Sequence, residues 1–463
     1  MKKRQLFESL PPVNPGTISS AIQSALEAGL PKLVVLDDDP TGTQTVCGIP
    51  VLTEWTVARL EKEFANESPC FYVLTNTRSL AGEEAATLNR EIARRLKEAA
   101  GGRAFQVVSR SDSTLRGHFP QETDVLCEEL GPFDGVLLIP YFEAGGRYTV
   151  DDVHYVAEGD ALTPASETPF ARDASFGYRS SNLRRWVEEK SKGRIPAGSV
   201  ASLGIDTIRS GDIGVIRKRL ENLNNGQMCV VNAAAPSDLE RVVAAILQAE
   251  REGKRFLFRT GAQFVSTRIG LTEVPTWTPP PEQKSGGLVI VGSHVPKSTA
   301  QLECLLRAGR LPAFELDVPR FLRGQSNGVG PLIDSVGECL RAGKSTVVYT
   351  SRTLVLGESE SSNLAVSRQV SAALVELLRG MEVAPAYVIA KGGITASDLA
   401  THGLGVRRAM VKGALLPGVP VWETGVETRF PGLPYVVFPG NVGSDEALLQ
   451  AVEQFEGPAE CCF

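Results

Sequence analysis

Histidine is scarce in this 463-residue chain: four residues, standing far apart, form no H-x-x-x-H pair to hold a metal. The eight cysteines lack C-x-x-C spacing, and the adjacent Cys461 and Cys462 sit in the tail with no other ligand type near them. That usage fits reduced structural thiols better than a disulfide framework or a zinc cage. No apolar run approaches the ~20 residues a bilayer span needs. An excess of positive charge is also missing. The net charge is −6 and Lys and Arg are dispersed, which argues against a nucleic-acid surface but leaves anionic substrates open, because local arginines decide that. The opening "MKKRQLFESLPPVNPG" has basic residues but no apolar segment behind them, so it does not read as a secretory signal, and a cytoplasmic location is expected.

What is present is a globular composition, 42% hydrophobic and 22% charged, on a chain long enough for two or three domains. Short β-branched runs alternate with longer amphipathic segments. The runs are "LVVLDDD", "FYVLTNTRS", "FQVVSRSDST", "GVLLIPYF", "MCVVNAAA" and "FLFRTGA", then "LVIVGSH", "STVVYTS", "AYVIAKGG" and "YVVFPGN". Between them "AATLNREIARRLKEAA" and "SDLERVVAAILQAERE" repeat apolar residues at helical spacing. The pattern predicts an α/β fold with largely parallel sheets. Pro and Gly crowd residues 272–287, an expected linker between an α/β domain at 30–271 and a second at 288–463, with residues 1–29 as an N-terminal extension and a cleft between the domains. Nearly every run ends in Asp, Thr, Ser, Asn, Arg or Gly, and the carboxyl ends of parallel strands are where ligands bind, although loops are polar anyway.

The first run ends in three aspartates, Asp37, Asp38 and Asp39. Adjacent like charges resist desolvation, so they need water, a metal or donor groups. Asp37, Asp39 and Thr41 also match the D-x-D-x-T with which haloacid-dehalogenase-type phosphatases begin. That reading needs a later lysine and an acidic pair; "DDVHYVAEGD" at 151–160 is the available acidic stretch, but no strand is expected directly before it. "GECLRAGKST" at 337–346 resembles a phosphate-binding loop in the wrong order, helix before Gly-Lys and strand after.

In "VVSRSDSTLRGHFPQETDVL", residues 107–126, a run leads into Asp112, Ser113 and Thr114, with Arg116 next. Hydroxyls and a carboxylate suit a polyhydroxy substrate, and a guanidinium grips a carboxylate through two parallel hydrogen bonds. The same residues would also serve as a helix cap. Two glycine stretches mark the C-terminal half: "AKGGITASDLATHGLG", with Gly392, Gly393, Ile394, Thr395 and Ser397, and "VVFPGNVGSDEALLQAV", with Gly440, Asn441 and Gly443. Backbone amides freed by glycine at a helix start form a phosphate cradle.

"DDDPTGTQT", "SRSDSTLRGHF", "EAGGRYTVDDVHYV", "ETPFARD", "VGSHVPKSTAQL", "KGGITASDLA", "PGVPVW" and "FPGNVGSDEAL" together resemble the four-carbon acid sugar kinase family, in family order from about residue 30 to about 450. The resemblance implies a sugar-acid-binding N-terminal domain, an ATP-binding C-terminal domain and transfer of the γ-phosphate to a terminal hydroxyl. It carries the family's D-D-x-T-G onto Asp38, Asp39, Thr41 and Gly42, and its D-S-T-x-R-G onto Asp112, Ser113, Thr114, Arg116 and Gly117. Its serine after the first strand of the C-terminal domain falls on Ser293, and its glycine pair on Gly392 and Gly393. Ile394 stands where many members have an acidic residue, Ala396 where a hydroxyl is common, and "TNTRS" keeps Arg78 and Ser79 without the family's aspartate. Asp38 is then the expected base, with Asp112 the alternative; Asp39, Thr41, Arg78, Ser113 and Arg116 would hold the acid. ATP and Mg²⁺ are the implied cofactors, with metal ligands unassigned and the homo-oligomeric state open. A non-catalytic sugar-acid sensor would have no use for the two glycine loops.

Overall fold

The computed structural model describes residues 2–13, 18–209, 211–271, 273–280, 285–325, 328–353, 355 and 360–457. It divides into two compact units, the first Met1–Val46 with Glu54–Glu273, the second Cys47–Thr53 with Val274–Phe463. The segment Cys47–Thr53 thus belongs with the C-terminal unit although it lies in the N-terminal part of the chain.

The first unit is built on seven parallel strands in the order Cys70–Leu74, Lys32–Asp37, Phe105–Arg110, Phe256–Thr260, Gly135–Ile139, Gln227–Val231 and Ala201–Leu203. Strands buried on both faces read as unbroken apolar runs, which is why six of them stand out in the sequence. Register positions the site. Asp37 pairs with Leu74 and Arg110, and Arg110 with Thr260, so these strand ends share one edge of the sheet. The helices Gly82–Ala100 and Pro236–Arg251 bury the stripes their spacing predicts, including Ile92 and Leu96 on one and Leu239, Val242 and Ile246 on the other.

A small antiparallel sheet, Arg147–Val150, Val153–Glu158 and Ala161–Pro164, completes this unit. It corrects one expectation: a strand does precede "DDVHYVAEGD", and the stretch is itself largely a strand. Asp152 there accepts from Ser202 Oγ at 2.5 Å and Asn232 Nδ2 at 2.9 Å, a hairpin anchor. The N-terminal residues fold onto the same unit, with helices Lys3–Glu8 and Ile18–Glu27 and Lys3 Nζ donating to Tyr148 Oη at 2.7 Å.

The second unit has five parallel strands, in the order Ala313–Leu316, Thr346–Thr350, Leu288–Val291, Val388–Lys391 and Pro434–Phe438. Three antiparallel ones follow, Val419–Thr424, Arg408–Leu416 and Pro50–Leu52. Its core packs Val289, Val291, Leu302, Ile389, Val436, Phe438 and Leu448. Part of the Pro-rich stretch is docked here: Trp277 N donates to Ala414 O at 2.8 Å, and Gly413, at φ +135°, leaves room for Pro275 O. Thr272, residues 281–284 and the pair Cys461 and Cys462 lie outside the described residues.

Candidate active site

The three aspartates at the end of the first strand differ sharply in environment. Asp37 is 1% exposed; Arg110 Nη1 donates to its Oδ1 at 2.8 Å, and its Oδ2, without a hydrogen-bond partner, lies where a Cβ on Gly42 would come within 2.1 Å. Burial raises its carboxyl to about 7, against Arg110 and with the help of Asp38 and Asp39. Asp38 is 2% exposed, receives a 2.6 Å hydrogen bond from Ser111 Oγ and faces Arg78 Nε across 3.2 Å. Burial raises it too, with Arg78 opposing and Glu122 adding. Asp39 is partly open. Its Oδ1 caps the 3₁₀ turn Pro40–Thr45 by accepting from Thr41 N at 2.8 Å, and Arg78 Nη2 lies 2.9 Å from its Oδ2. Burial favours the neutral form there, but Arg78, Arg110 and the Thr41 hydrogen bonds outweigh it and hold Asp39 below its ordinary value.

Asp37 therefore has a pH signature. A carboxyl raised in the folded state contributes stability that is full below its unfolded pKa and is lost as pH rises through the folded value, here about 7. The melting temperature of the wild type should fall relative to that of Asp37→Asn between pH ~4 and ~7.5. Parallel pH dependences in the two proteins would place the raised group elsewhere.

The loop after Phe105–Arg110 closes over Asp38. Gly117, at φ +129°, would with a Cβ collide with Ser111 Oγ at 2.5 Å and come within 3.0 Å of Asp38 Oδ2. Asp112 Oδ2 accepts from Arg116 Nε at 2.6 Å and also from Thr114 Oγ1. Burial would raise Asp112, but Arg116 and Arg78 outweigh it and hold the carboxyl far below the usual carboxylate range. The Ser113 carbonyl accepts from the buried His154 Nε2 at 2.7 Å, and His154 Nδ1 lies 2.9 Å from Thr149 Oγ1. Burial lowers His154 to about 4, so a neutral ring braces the loop.

The sequence reading missed the layer beneath. Arg259 Nη2 donates to Ser111 Oγ at 2.9 Å, and its Nη1 to Ser109 Oγ at 2.7 Å and Glu122 Oε2 at 2.5 Å. Thr77 Oγ1 donates to Glu122 Oε1 at 2.5 Å. Arg110, Ser111, Glu122 and Arg259 thus fix Asp38 and its neighbours. Their signal was available: an arginine at or next to the end of an otherwise apolar buried strand, as in "FQVVSR" and "FLFRT", must find an anion.

In the second unit, Gly392 follows Val388–Lys391 at φ +117°, and a Cβ there would come within 2.9 Å of Ser293 Cβ. The helix Gly393–Asp398 begins at once, and its first intrahelical bond is from Ala396 N to Gly392 O, so the amides of Gly393, Ile394 and Thr395 are left for a ligand or water. Ile394 is 52% exposed at this turn. Ser298 Oγ donates to Ser293 Oγ at 3.0 Å and lies 3.1 Å from Gly440 O, drawing Ser293 to the second glycine loop, where Asn441 and Gly443 are exposed. A further residue unmarked by the sequence reading, Lys391, is wholly buried; its Nζ donates to the carbonyls of Pro439 and Gly440 and lies 4.0 Å from the Phe438 ring centroid. Burial, reinforced by Lys297, lowers it to about 7. Lys391 ties the two glycine loops together. The site residues thus fall into two groups, Asp38, Asp39, Thr41, Arg78, Asp112, Ser113 and Arg116 on the first unit and Ser293 with both glycine loops on the second.

Residues 33–268 match the family model of a sugar-binding N-terminal domain and residues 288–448 that of a nucleotide-binding C-terminal domain. The chain belongs to the four-carbon acid sugar kinase family. It is 26% identical over 220 residues to a D-erythronate kinase of Heliobacterium modesticaldum, a match to 45% of this chain and 47% of the relative, so about half of that relative's length is spanned. It is 24% identical over 362 residues to a 3-oxo-tetronate kinase of Pseudomonas savastanoi, 77% of this chain and 80% of the relative. Two crystal structures share the fold. A Haemophilus influenzae protein matches with TM-score 0.62 and 19% identity over 91% of this chain and all of its own. A Salmonella typhimurium protein matches with TM-score 0.68 and 18% identity over 92% and 99%.

Proposed function

We propose that this protein is an ATP-dependent kinase that phosphorylates a terminal hydroxyl of a four-carbon sugar acid of the threonate, erythronate or oxo-tetronate type. The observation that carries the reading is Asp38. It is a buried carboxylate at a strand end whose affinity for a proton is raised and whose orientation is set by Ser111 and Arg78. A general base needs both properties, whereas Asp112, stabilised as an anion by Arg116, is a poor proton acceptor. In this reading Asp38 takes the proton of the attacking hydroxyl, Arg78 and Asp39 orient the polyol, and Arg116 meets the acid's carboxylate. The amides of Gly393, Ile394 and Thr395, in a cradle that a Cβ at Gly392 would crowd, receive phosphate oxygens. Magnesium bound with the nucleotide would neutralise phosphate charge. Among the described residues no group of three His, Cys, Asp or Glu side chains is arranged to hold a metal ion, and in this reading phosphate oxygens supply most of its ligands. A phosphatase that uses Asp37 as nucleophile fits less well, because that side chain is sealed between Arg110 and Gly42.

The relatives' names supply erythronate and 3-oxo-tetronate for the test panel, and threonate, the diastereomer of erythronate, completes it. With Mg²⁺ and ATP, purified protein should release ADP in the presence of at least one threonate, erythronate or oxo-tetronate, and phosphorus NMR should place the phosphate on the terminal carbon. Silence across the panel with nucleotide binding intact would overturn the kinase reading and favour a sensor. Free phosphate released from a sugar phosphate without ATP would favour a phosphatase.

A further inference from the structure

The second glycine loop is held by buried side chains that reach its carbonyls. Lys391 Nζ donates to Pro439 O and, at 3.3 Å, to Gly440 O; Ser298 Oγ lies 3.1 Å from Gly440 O; Gln301 Nε2 donates to Val442 O at 2.9 Å and Ser444 O at 2.7 Å. A trans peptide points its N–H opposite to the preceding C=O. The amides of Gly440, Asn441, Gly443 and Asp445 are therefore turned away from these side chains, and among the described residues none of the four has a hydrogen-bond partner. Gly443, at φ +86°, would with a Cβ come within 2.5 Å of Ala447 Cβ, so this turn needs glycine. Free amides gathered on one turn make an anion cradle.

Lys391 supplies the charge beneath that cradle. It is wholly buried, and among the described residues no carboxylate lies within ion-pair distance of it. Of the charged and titratable groups on the elements around it, Lys297 repels it and is itself paired with Asp445 at 2.9 Å. His294 turns to Ser351 O, Asp398 accepts from Ser371 Oγ, and the Tyr435 hydroxyl donates to Ala396 O. Burial with the Lys297 repulsion brings Lys391 down to about 7, because two carbonyls alone do not balance a buried ammonium. An anion on the Gly440 and Asn441 amides would stand ~8 Å from Nζ by peptide and hydrogen-bond lengths, across peptide dipoles aligned between them. At an effective dielectric of ~20, each unit charge there raises the amine's proton affinity roughly thirtyfold. We propose that Lys391 is a positioning residue whose proton is coupled to nucleotide binding. As phosphate settles on the second glycine loop above neutral pH, the Nζ amine takes a proton from the buffer acid and becomes the ammonium that fixes the loop's carbonyls. The inference rests on the second unit being the nucleotide site. Below pH ~7 the amine is already charged and binding needs no proton; above it binding must bring one, so ATP affinity falls as pH rises.

The test is calorimetric titration of the wild type with ATP and excess Mg²⁺ at pH ~8 in two buffers of different ionisation enthalpy. Uptake of about half a proton or more is expected, since the phosphates, with a last pKa of ~6, are already ionised there. Between pH ~7 and ~9 the Kd for ATP should rise roughly tenfold. Lys391→Gln keeps a donor for the carbonyls but no charge. Its Kd at pH ~7 should be roughly tenfold higher than that of the wild type, flat with pH and without proton uptake, so the two proteins converge near pH ~9. Lys391→Met, which lacks the donor as well, should bind no better than Lys391→Gln. Absence of proton uptake in the wild type, a measurement that needs no variant to fold, would overturn the coupling and leave Lys391 a structural staple. So would an identical pH dependence in Lys391→Gln. Proton-linked ATP binding without ADP release for any acid would keep the coupling and sink the kinase. ADP release with a pH-independent ATP affinity would do the reverse, and no ATP binding by the wild type would overturn both.

Discussion

Replacing Asp38 with asparagine is expected to lower kcat by ~10²- to 10⁴-fold, the usual cost of removing a general base, while Kd for ATP and for the sugar acid change little. The amide is nearly isosteric and its one oxygen can still accept from Ser111 Oγ, while its NH₂ then turns toward Arg78, so the two Kd values measured beside kcat separate loss of the base from a change in the pocket. What is lost is a carboxylate whose proton affinity is raised by burial. Asp112→Asn should act differently. Asp112 is held strongly anionic and orients Arg116, so its loss should appear chiefly as a raised KM for the acid. Near-normal turnover in Asp38→Asn at saturating substrates, or a greater kcat loss in Asp112→Asn, would transfer the base to the other carboxylate.

Gly392→Ala should weaken nucleotide binding by roughly tenfold or more, because backbone strain of about 1–3 kcal/mol and an added methyl act at the same point. The φ of +117° disfavours any side chain, and the new Cβ would press against Ser293 at 2.9 Å. Sugar-acid binding, proposed for the first unit, should be spared. Gly405→Ala is the control: φ there is +69° but nothing lies within 4 Å, so it carries backbone strain without filling the cradle. Equal ATP affinity in calorimetry for Gly392→Ala and wild type would reduce the glycine pair to a turn. The two glycines are not equivalent in this respect, since Gly393 already opens the helix.

Ten strands were legible as apolar runs with polar ends because a parallel strand covered on both faces has no reason to alternate. The missed strands are short or antiparallel. Pro50–Leu52 has only three residues and pairs with Arg408–Leu416, more than 350 positions away, a partnership no local pattern encodes. The same applies to Glu122 and Arg259, 137 residues apart in sequence and 2.5 Å apart in space. Lys391 was visible as a residue preceding the glycine pair, but its task was not, since its acceptors belong to the other glycine loop.

Alone, the sequence determined the α/β class, the polar strand ends, both glycine loops and the family, because each depends on residue type and spacing within one stretch of chain. Only tertiary structure decided how the three aspartates divide their roles. Asp37 is sealed with Arg110, Asp38 is poised beneath Ser111, and Asp39 is pinned as an anion by Arg78 and Thr41. The physical reason is that a side chain's charge state is set by its burial and by the charges around it, and both are supplied by strands and loops far away in the chain.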